Sequence, residues 1–337
     1  MPDYVDERLL RPPLIHGRPD TAEPLTVLFS LLSRADNTAL ADRRLAPGHT
    51  LDQEGQPILD PSNEGFENGF ERNPNLHFEH WGEYWRKVHG VRFTHVEETD
   101  DLTLDRLVRY EQLHRFAPGP THTDSPPYRA PVDPDGKLWP TVIGHVEPYR
   151  RPRWDGVAYL SFATPDDIGV VLANERIREK ILPEDRAMFR DLAPVLARQY
   201  VILASATGNE AVTLVKLHRR RKGSDRDAFQ RWWKDEHAQW VMQQIQSDGY
   251  VKRYAQLHSI GPVEDGAPFY HPDASKIDGV SLLSFSSVSD VEDFLRSPGY
   301  ARIAAHEANE IDDEASEFWT TIRIGVVNRI HPEVVTR

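Results

Sequence analysis

The sequence predicts an α+β fold in which one β-α-β-β-α-β unit occurs twice in a single chain. Three observations carry this. Four sequence blocks recur in the same order in the two halves. Each half holds an aromatic-faced helix ending in a histidine, Trp81-x-x-Tyr84-Trp85-Arg86-x-x-His89 and Phe229-x-x-Trp232-Trp233-Lys234-x-x-His237. Each half also holds an Arg-Tyr-x-Gln-Leu-His segment, Arg109 to His114 and Arg253 to His258. Ordered self-similarity of this kind is the mark of a duplicated unit.

The elements follow in order. Leu25 to Arg34 aligns with Val212 to Arg221; both are rich in β-branched and apolar residues and predict strands. The aromatic residues of the next block recur at i, i+3 and i+4, one face of a helix, and His89 and His237 fall at the edge of that face. Ser224 and Asp225 offer N-cap chemistry for the second of these helices. The third block predicts strands. Alternation puts Tyr110, Gln112 and His114 on one face, and Tyr254, Gln256 and His258 on its counterpart. Arg109 and Arg253 could grip a substrate carboxylate in bidentate fashion, but alternation turns them the other way, toward carboxylates at an interface. The fourth block, Asp155-Gly156 to Phe162 and Asp278-Gly279 to Phe285, reads as a turn feeding a strand. Helical stretches follow near 166–172 and 290–295, and final strands at Tyr200 to Leu203 and Ile322 to Val327 close each half.

This order is the split βαβ, or ferredoxin-like, unit. Two helices cover one face of its four-stranded sheet, so the other face needs a partner. The second copy supplies it, giving a pseudo-two-fold α+β barrel. The expected organisation is an N-terminal extension (1–21), a first copy (22–205) and a second copy (208–335). The first copy carries two long insertions, near 35–77 and 121–153, of the length that marks functional lids or disordered segments, with an ordered surface wrap outside the site as the other reading.

Composition narrows the function. With 337 residues, the chain has the length of two domains, and its 8 Trp, 11 Tyr and 13 Phe supply large buried area. A net charge of -13 repels phosphate backbones and argues against nucleic acid. The basic run His218-Arg219-Arg220-Arg221-Lys222 reads as a solvated strand end or turn. With no cysteine there is no disulfide, thiolate metal site or cysteine nucleophile. The acidic N-terminus is no secretory signal, and no apolar run reaches membrane-spanning length, so a cytoplasmic location is expected. His77-x-x-His80 has metal-pair spacing but no third ligand at a recognisable distance, and His306 with Glu307 and Glu310 reads as a solvated helix face. No glycine-rich phosphate loop and no G-x-S-x-G elbow occurs.

The pattern aromatic-x-x-aromatic-Trp-basic-x-x-His, set between a strand and a Tyr-containing strand, resembles the EthD family of the dimeric α+β barrel superfamily. The resemblance covers both halves and is clearer in Asp227 to His237. Members are usually single units that dimerise. Fusion of two units makes an obligatory homodimer unnecessary here and leaves homodimer formation open. The resemblance implies a pocket between sheet and helices, and chemistry on small aromatic molecules without metal or cofactor. It makes His89 and His237 the acid/base candidates, with Tyr110 and Tyr254 as strand partners. Trp85, Trp233, His114, His258, Gln112 and Gln256 are the expected substrate-binding set. A histidine that exchanges protons near neutrality beside a tyrosine donor suits a lyase performing decarboxylation, dehydration or retro-aldol-type cleavage. Isomerase or cofactor-free oxygenase activity is compatible too. Two alternatives stay open: a heme dehydratase of the aldoxime dehydratase type with a histidine axial ligand, and a non-catalytic binding protein for hydrophobic molecules.

Overall fold

The computed structural model describes residues 24–34, 50–51, 57–58, 81–94 except Glu83, 103–115, 154–205, 210–312 and 316–329. Eight strands form the frame: β1 (Leu25–Arg34), β2 (Leu107–Arg115), β3 (Gly156–Phe162), β4 (Phe189–Leu203), β5 (Val212–His218), β6 (Val251–Ser259), β7 (Gly279–Phe285) and β8 (Glu317–Asn328). They close into one antiparallel barrel in the order β1-β3-β2-β8-β5-β7-β6-β4. Each copy contributes a sheet of the expected type, β4-β1-β3-β2 and β8-β5-β7-β6. The seams are β2 with β8 and β4 with β6. Closure leaves the barrel sheet without an open edge. Within the insertion near 35–77, Thr50–Leu51 pairs with Pro57–Ile58; the insertion near 121–153 and the His77/His80 pair lie outside the described residues.

The final strands are longer than expected, 15 and 12 residues. Each must pair with its own copy along one half and with the other copy along the rest. Leu25 to Arg34 takes β4 from Gln199 back to Phe189, and β6 takes it from Ala197 to Leu203. Arg190, Asp191, Pro194 and Arg198 break the apolar pattern of β4, so only its last residues look strand-like in sequence.

The first-strand alignment also needs a correction. Gly156 faces Leu32 and Gly279 faces His218, so the barrel aligns Thr26, not Leu25, with Val212. One residue of register exchanges the two faces of a strand. The true counterparts on the helix-facing side are therefore Ser30 with Lys216 and Leu32 with His218. The basic run is corrected at its start, where His218 is buried in β5 with its Nε2 2.8 Å from Ser281 Oγ and Arg220 pairs with Asp278, while Arg221 and Lys222 are exposed at a turn.

Alternate residues fill the barrel. Val27, Phe29, Val157, Val215, Val280 and Leu282 belong to one central cluster. The opposite faces pack under helices, with Leu28, Tyr110 and Leu160 in the first copy and Leu214, Tyr254 and Leu283 in the second. Arg109 and Arg253 point inward as expected. Glu111 sits 3.9 Å from Arg109 and 2.7 Å from Arg323, and Arg323 also reaches Glu210 at 2.9 Å. No helix among the described residues is long and apolar enough to cross a membrane.

Each aromatic helix contains a π turn at the same place, Trp85–His89 and Trp233–His237. The extra residue per turn swings each histidine inward, from the edge of the face to full burial. The second helix starts where predicted: Asp225 Oδ1 accepts a hydrogen bond from Ala228 N at 2.9 Å. The duplicated Asp-Gly pairs follow from this packing. A Cβ on Gly156 would lie 2.6 Å from Trp85 Cζ3, and one on Gly279 would lie 2.0 Å from Trp233 Cζ3. Only glycine lets these indoles lie against the strand. Asp155 pairs with Arg115 at 2.7 Å, while Asp278 binds Arg220 and Arg226.

Candidate active site

The two copies share a polar scaffold beneath the aromatic helix. In the first, Gln112 Nε2 donates to Trp85 O (2.9 Å) and to Tyr110 Oη (3.0 Å), and Trp85 Nε1 donates to the same phenol (3.2 Å). His114 Nε2 donates to Gln112 Oε1 at 3.0 Å, and its ring lies 4.4 Å from that of Trp85. In the second, Gln256 bridges Trp233 O (3.0 Å) and Tyr254 Oη (2.7 Å), and His258 donates to Gln256 (3.0 Å). The Arg-Tyr-x-Gln-Leu-His block is thus recognised because it builds this bracket. Burial pulls the His258 imidazole down to about 3, so it is neutral at pH 7. The Gln112/His114 and Gln256/His258 pairs orient the tyrosines and tryptophans.

Above the bracket the copies diverge. A cavity of about 190 Å³ lies between the first sheet and its helices. Its wall is almost wholly apolar, formed by residues such as Leu28, Leu160, Phe162 and Val171. The polar groups on it are His89, Tyr110, Asp185 and Ser30. Tyr110 already accepts two hydrogen bonds, from Gln112 and Trp85, so its O–H is left to donate. Burial pushes its pKa up, which keeps the phenol protonated.

His89 is clamped between two carboxylates. Its Nδ1 lies 2.9 Å from Glu184 Oε2 and its Nε2 lies 3.2 Å from Asp185 Oδ1. Glu184 is buried and also binds Tyr84 Oη and Arg92, the latter at 3.0 Å. Burial disfavours the charged form of His89, but Asp185 and Glu184 outweigh it and hold its pKa above the usual value. Burial works against Glu184's charge too; His89 and Arg92 outweigh it and keep the carboxyl low. Asp185 is different. Burial raises it, Glu184 adds to the rise, and the result is about 6. A carboxyl poised there can take and return a proton at neutral pH.

Glu184 and Asp185 were missed in the sequence. They lie on a helix, Leu182–Met188, just before β4, some 95 residues from His89. An adjacent acidic pair behind Ile177 and Ile181 is the only signal, and it does not specify a partner.

In the second copy the matching positions are filled. Lys216 stands where the first copy has Ser30, and its Nζ is ion-paired with Glu307 and 5.3 Å from the Tyr300 ring. His237 Nδ1 meets His306 Nδ1 at 2.8 Å, and its Nε2 is 3.6 Å from Glu307. His306 and Glu307 thus take the places of Glu184 and Asp185. The expected solvated face is corrected: His306 stacks on Trp232, His237 and Trp240, and Glu307 is buried. Burial lowers the His237 pKa, and His218 falls to about 3 for the same reason. Tyr254 is pushed up to about 12 by burial.

His89 and His237 do not fit the axial-ligand role of the heme alternative. An axial histidine must offer iron a nitrogen lone pair, and both nitrogens of His89 face carboxylates. Those of His237 face His306 and Glu307. Among the described residues, Asp191, His271 and Asp273 bring possible metal-ligand atoms within 4.8 Å of one another. Here too both nitrogens are engaged: Asp273 N donates to His271 Nδ1 (3.2 Å), and Nε2 meets Asp191 Oδ1 (3.0 Å).

Residues 221–314 match the EthD domain. No curated protein matches the sequence. Among solved structures, an anthrone oxidase-like protein is similar at 9% identity over 92% of this chain and 97% of its own, with a TM-score of 0.45. A monooxygenase candidate from Lactobacillus acidophilus NCFM is similar at 8% identity over 91% and 97%, with a TM-score of 0.43. A chlorite dismutase from Candidatus Nitrospira defluvii, solved with imidazole, is similar at 9% identity over 89% and 92%, with a TM-score of 0.37.

Proposed function

We propose that this EthD-type barrel is an enzyme with one working site, the first copy's cavity, and that it performs proton-transfer chemistry of the lyase type. Its substrate is an apolar, ring-shaped small molecule carrying a phenol or carbonyl oxygen. The observation that carries this is the clamp of His89 between Glu184 and Asp185, with His89 and Asp185 among the few polar groups on a largely apolar wall.

The roles follow from the geometry. Asp185 accepts a proton from the bound molecule. Tyr110 donates its O–H to the oxygen on which charge builds. His89, oriented by Glu184, shares its Nε2 proton with Asp185 and so tunes that base. Protonated Asp185 returns its proton as the acid, so base, acid and oxyanion donor are all side chains of this chain and the proton transfer needs no cofactor. Decarboxylation, dehydration and retro-aldol cleavage all place these demands on a site, and the substrate's leaving group selects among them. The second copy supports the barrel: its ion pair occupies the space a substrate would need.

Isotope exchange tests this without knowledge of the net reaction. Phenolic ketones are incubated with the protein in D2O, and deuterium uptake is followed by mass spectrometry. Asp185→Asn and His89→Ala are expected to slow uptake by roughly 10²–10⁴-fold, and His237→Gln to leave it near the wild-type rate. Wild-type uptake in both first-copy variants, with unchanged far-UV circular dichroism, would refute the assignment.

A further inference from the structure

We infer that Phe269, carried by the second copy, is the stopper of the first copy's cavity and sets the size of molecule it admits. This rests on that cavity being the substrate site. Among the described lining residues, Phe269 alone comes from the second copy. It lies in the loop after β6, between Ser259 and the short helical turn Ala274–Lys276.

The backbone there is unusual. Phe269 has φ 66°, the one non-glycine residue with positive φ among those described. Tyr270 N donates to Ala267 O at 3.0 Å, which closes a four-residue turn with Pro268 second and Phe269 third. Proline second and a positive φ third are the marks of a type II turn, whose third position normally belongs to glycine. A phenylalanine held there costs conformational energy. The turn does not need the ring; the cavity does. Val263, Glu264, Asp265 and Gly266 are exposed, whereas Phe269 turns inward onto the cluster that includes Leu28 and Leu160.

The loop is pinned on both sides of this residue. Ile260 N donates to Leu196 O at 2.9 Å, and His271 Nε2 bonds Asp191 Oδ1 at 3.0 Å. Both anchors are on β4, flanking Leu192 and Pro194, which also line the cavity. The wall at this point is therefore a bracket between copies, with a rigid aromatic plug. Removing the ring enlarges the cavity without touching His89, Tyr110 or Asp185.

The experiment measures dissociation constants of phenol, 2-naphthol and 2-anthrol by calorimetry and ligand-detected NMR. The proteins are the full chain, Phe269→Ala, Phe269→Gly, Phe269→Trp and the cavity-filling Ala158→Leu. The ratio of the anthrol constant to the phenol constant is expected to fall on the order of tenfold in Phe269→Ala and Phe269→Gly, and to rise in Phe269→Trp. Ala158→Leu weakens all three ligands. If Ala158→Leu weakens binding but the ratio stays constant across the Phe269 series, the stopper role is overturned and the cavity assignment stands. A thermal shift without a change in ratio has the same meaning. If phenol fails to bind, or binds equally well to Ala158→Leu, both are overturned.

Discussion

Replacing Lys216 by methionine gives the sharpest test of how the copies diverged. The Lys216 ammonium and the Glu307 carboxylate are ion-paired, and each side chain is only 8% exposed. Water cannot take over from either partner. Loss of the ammonium leaves a buried carboxylate beside His237, which is 3.6 Å away and itself disfavoured in its charged form. Breaking a buried pair on one side costs about 3–5 kcal/mol; with His237 as a partial substitute, about 3 kcal/mol is expected. Lys216→Met/Glu307→Gln removes both charges and should fall within about 1 kcal/mol of the parent. The assay is urea unfolding at pH 7, followed by tryptophan fluorescence, on the parent, both single variants and the double. The pH dependence has a definite sign. Burial raises the Glu307 carboxyl, but Lys216, His237 and His218 outweigh it and hold it below the usual range. Its stabilising contribution is therefore present above the unfolded carboxyl value of about 4.3 and is lost as pH falls through the lower folded value. Without Lys216 the carboxyl protonates more readily, so the single variant's deficit should shrink on acidification. A cost below about 1 kcal/mol, the range of exposed pairs, or a double variant no more stable than the Lys216→Met single, would refute this account.

Other expectations follow from the same geometry. The rate of deuterium uptake should rise with pH through a limb near the Asp185 value of about 6, because the carboxylate is the base. That limb should vanish in Asp185→Asn, as read from a pH-rate profile; an unchanged limb would assign it elsewhere. Glu184→Gln should slow uptake and also lower the melting temperature, since Tyr84, His89 and Arg92 all depend on that carboxylate. Gly279→Ala should destabilise by roughly 1–3 kcal/mol through overpacking. Gly156→Ala should cost less, because its new Cβ meets Trp85 at 2.6 Å rather than 2.0 Å and an open cavity lies beside that indole. Chemical denaturation of the two variants ranks them.

The fold was legible because its determinants are local. Aromatic spacing, strand alternation and the Asp-Gly turns act within a few residues, and each is written twice, so the halves check each other. The bracket of Tyr110, Gln112 and His114 could be placed on one face from alternation alone, and the structure keeps all three there. The first-strand alignment failed by one residue for a related reason. Leu25 to Ser33 is buried on both faces, and its polar residues Thr26, Ser30 and Ser33 fall on both, so it carries no clean alternation to set its register. That slip hid the pairing of Ser30 with Lys216, the substitution that separates the two sites.

By itself, the sequence determined the duplicated unit, the helix that carries each histidine and the strand that carries each tyrosine, because these depend on short-range periodicity. Only the tertiary structure showed the cavity beside His89 and the side chains that meet there. Asp185 and Glu184 reach His89 across about 95 positions, and Phe269 reaches the same cavity from the other copy, breaking its turn's preference for glycine. Such contacts are set by barrel closure and by a π turn that no residue pattern announces. The second site is filled because one lysine, aligned by a strand pairing, meets one buried carboxylate. Nothing local to either residue foretells that meeting.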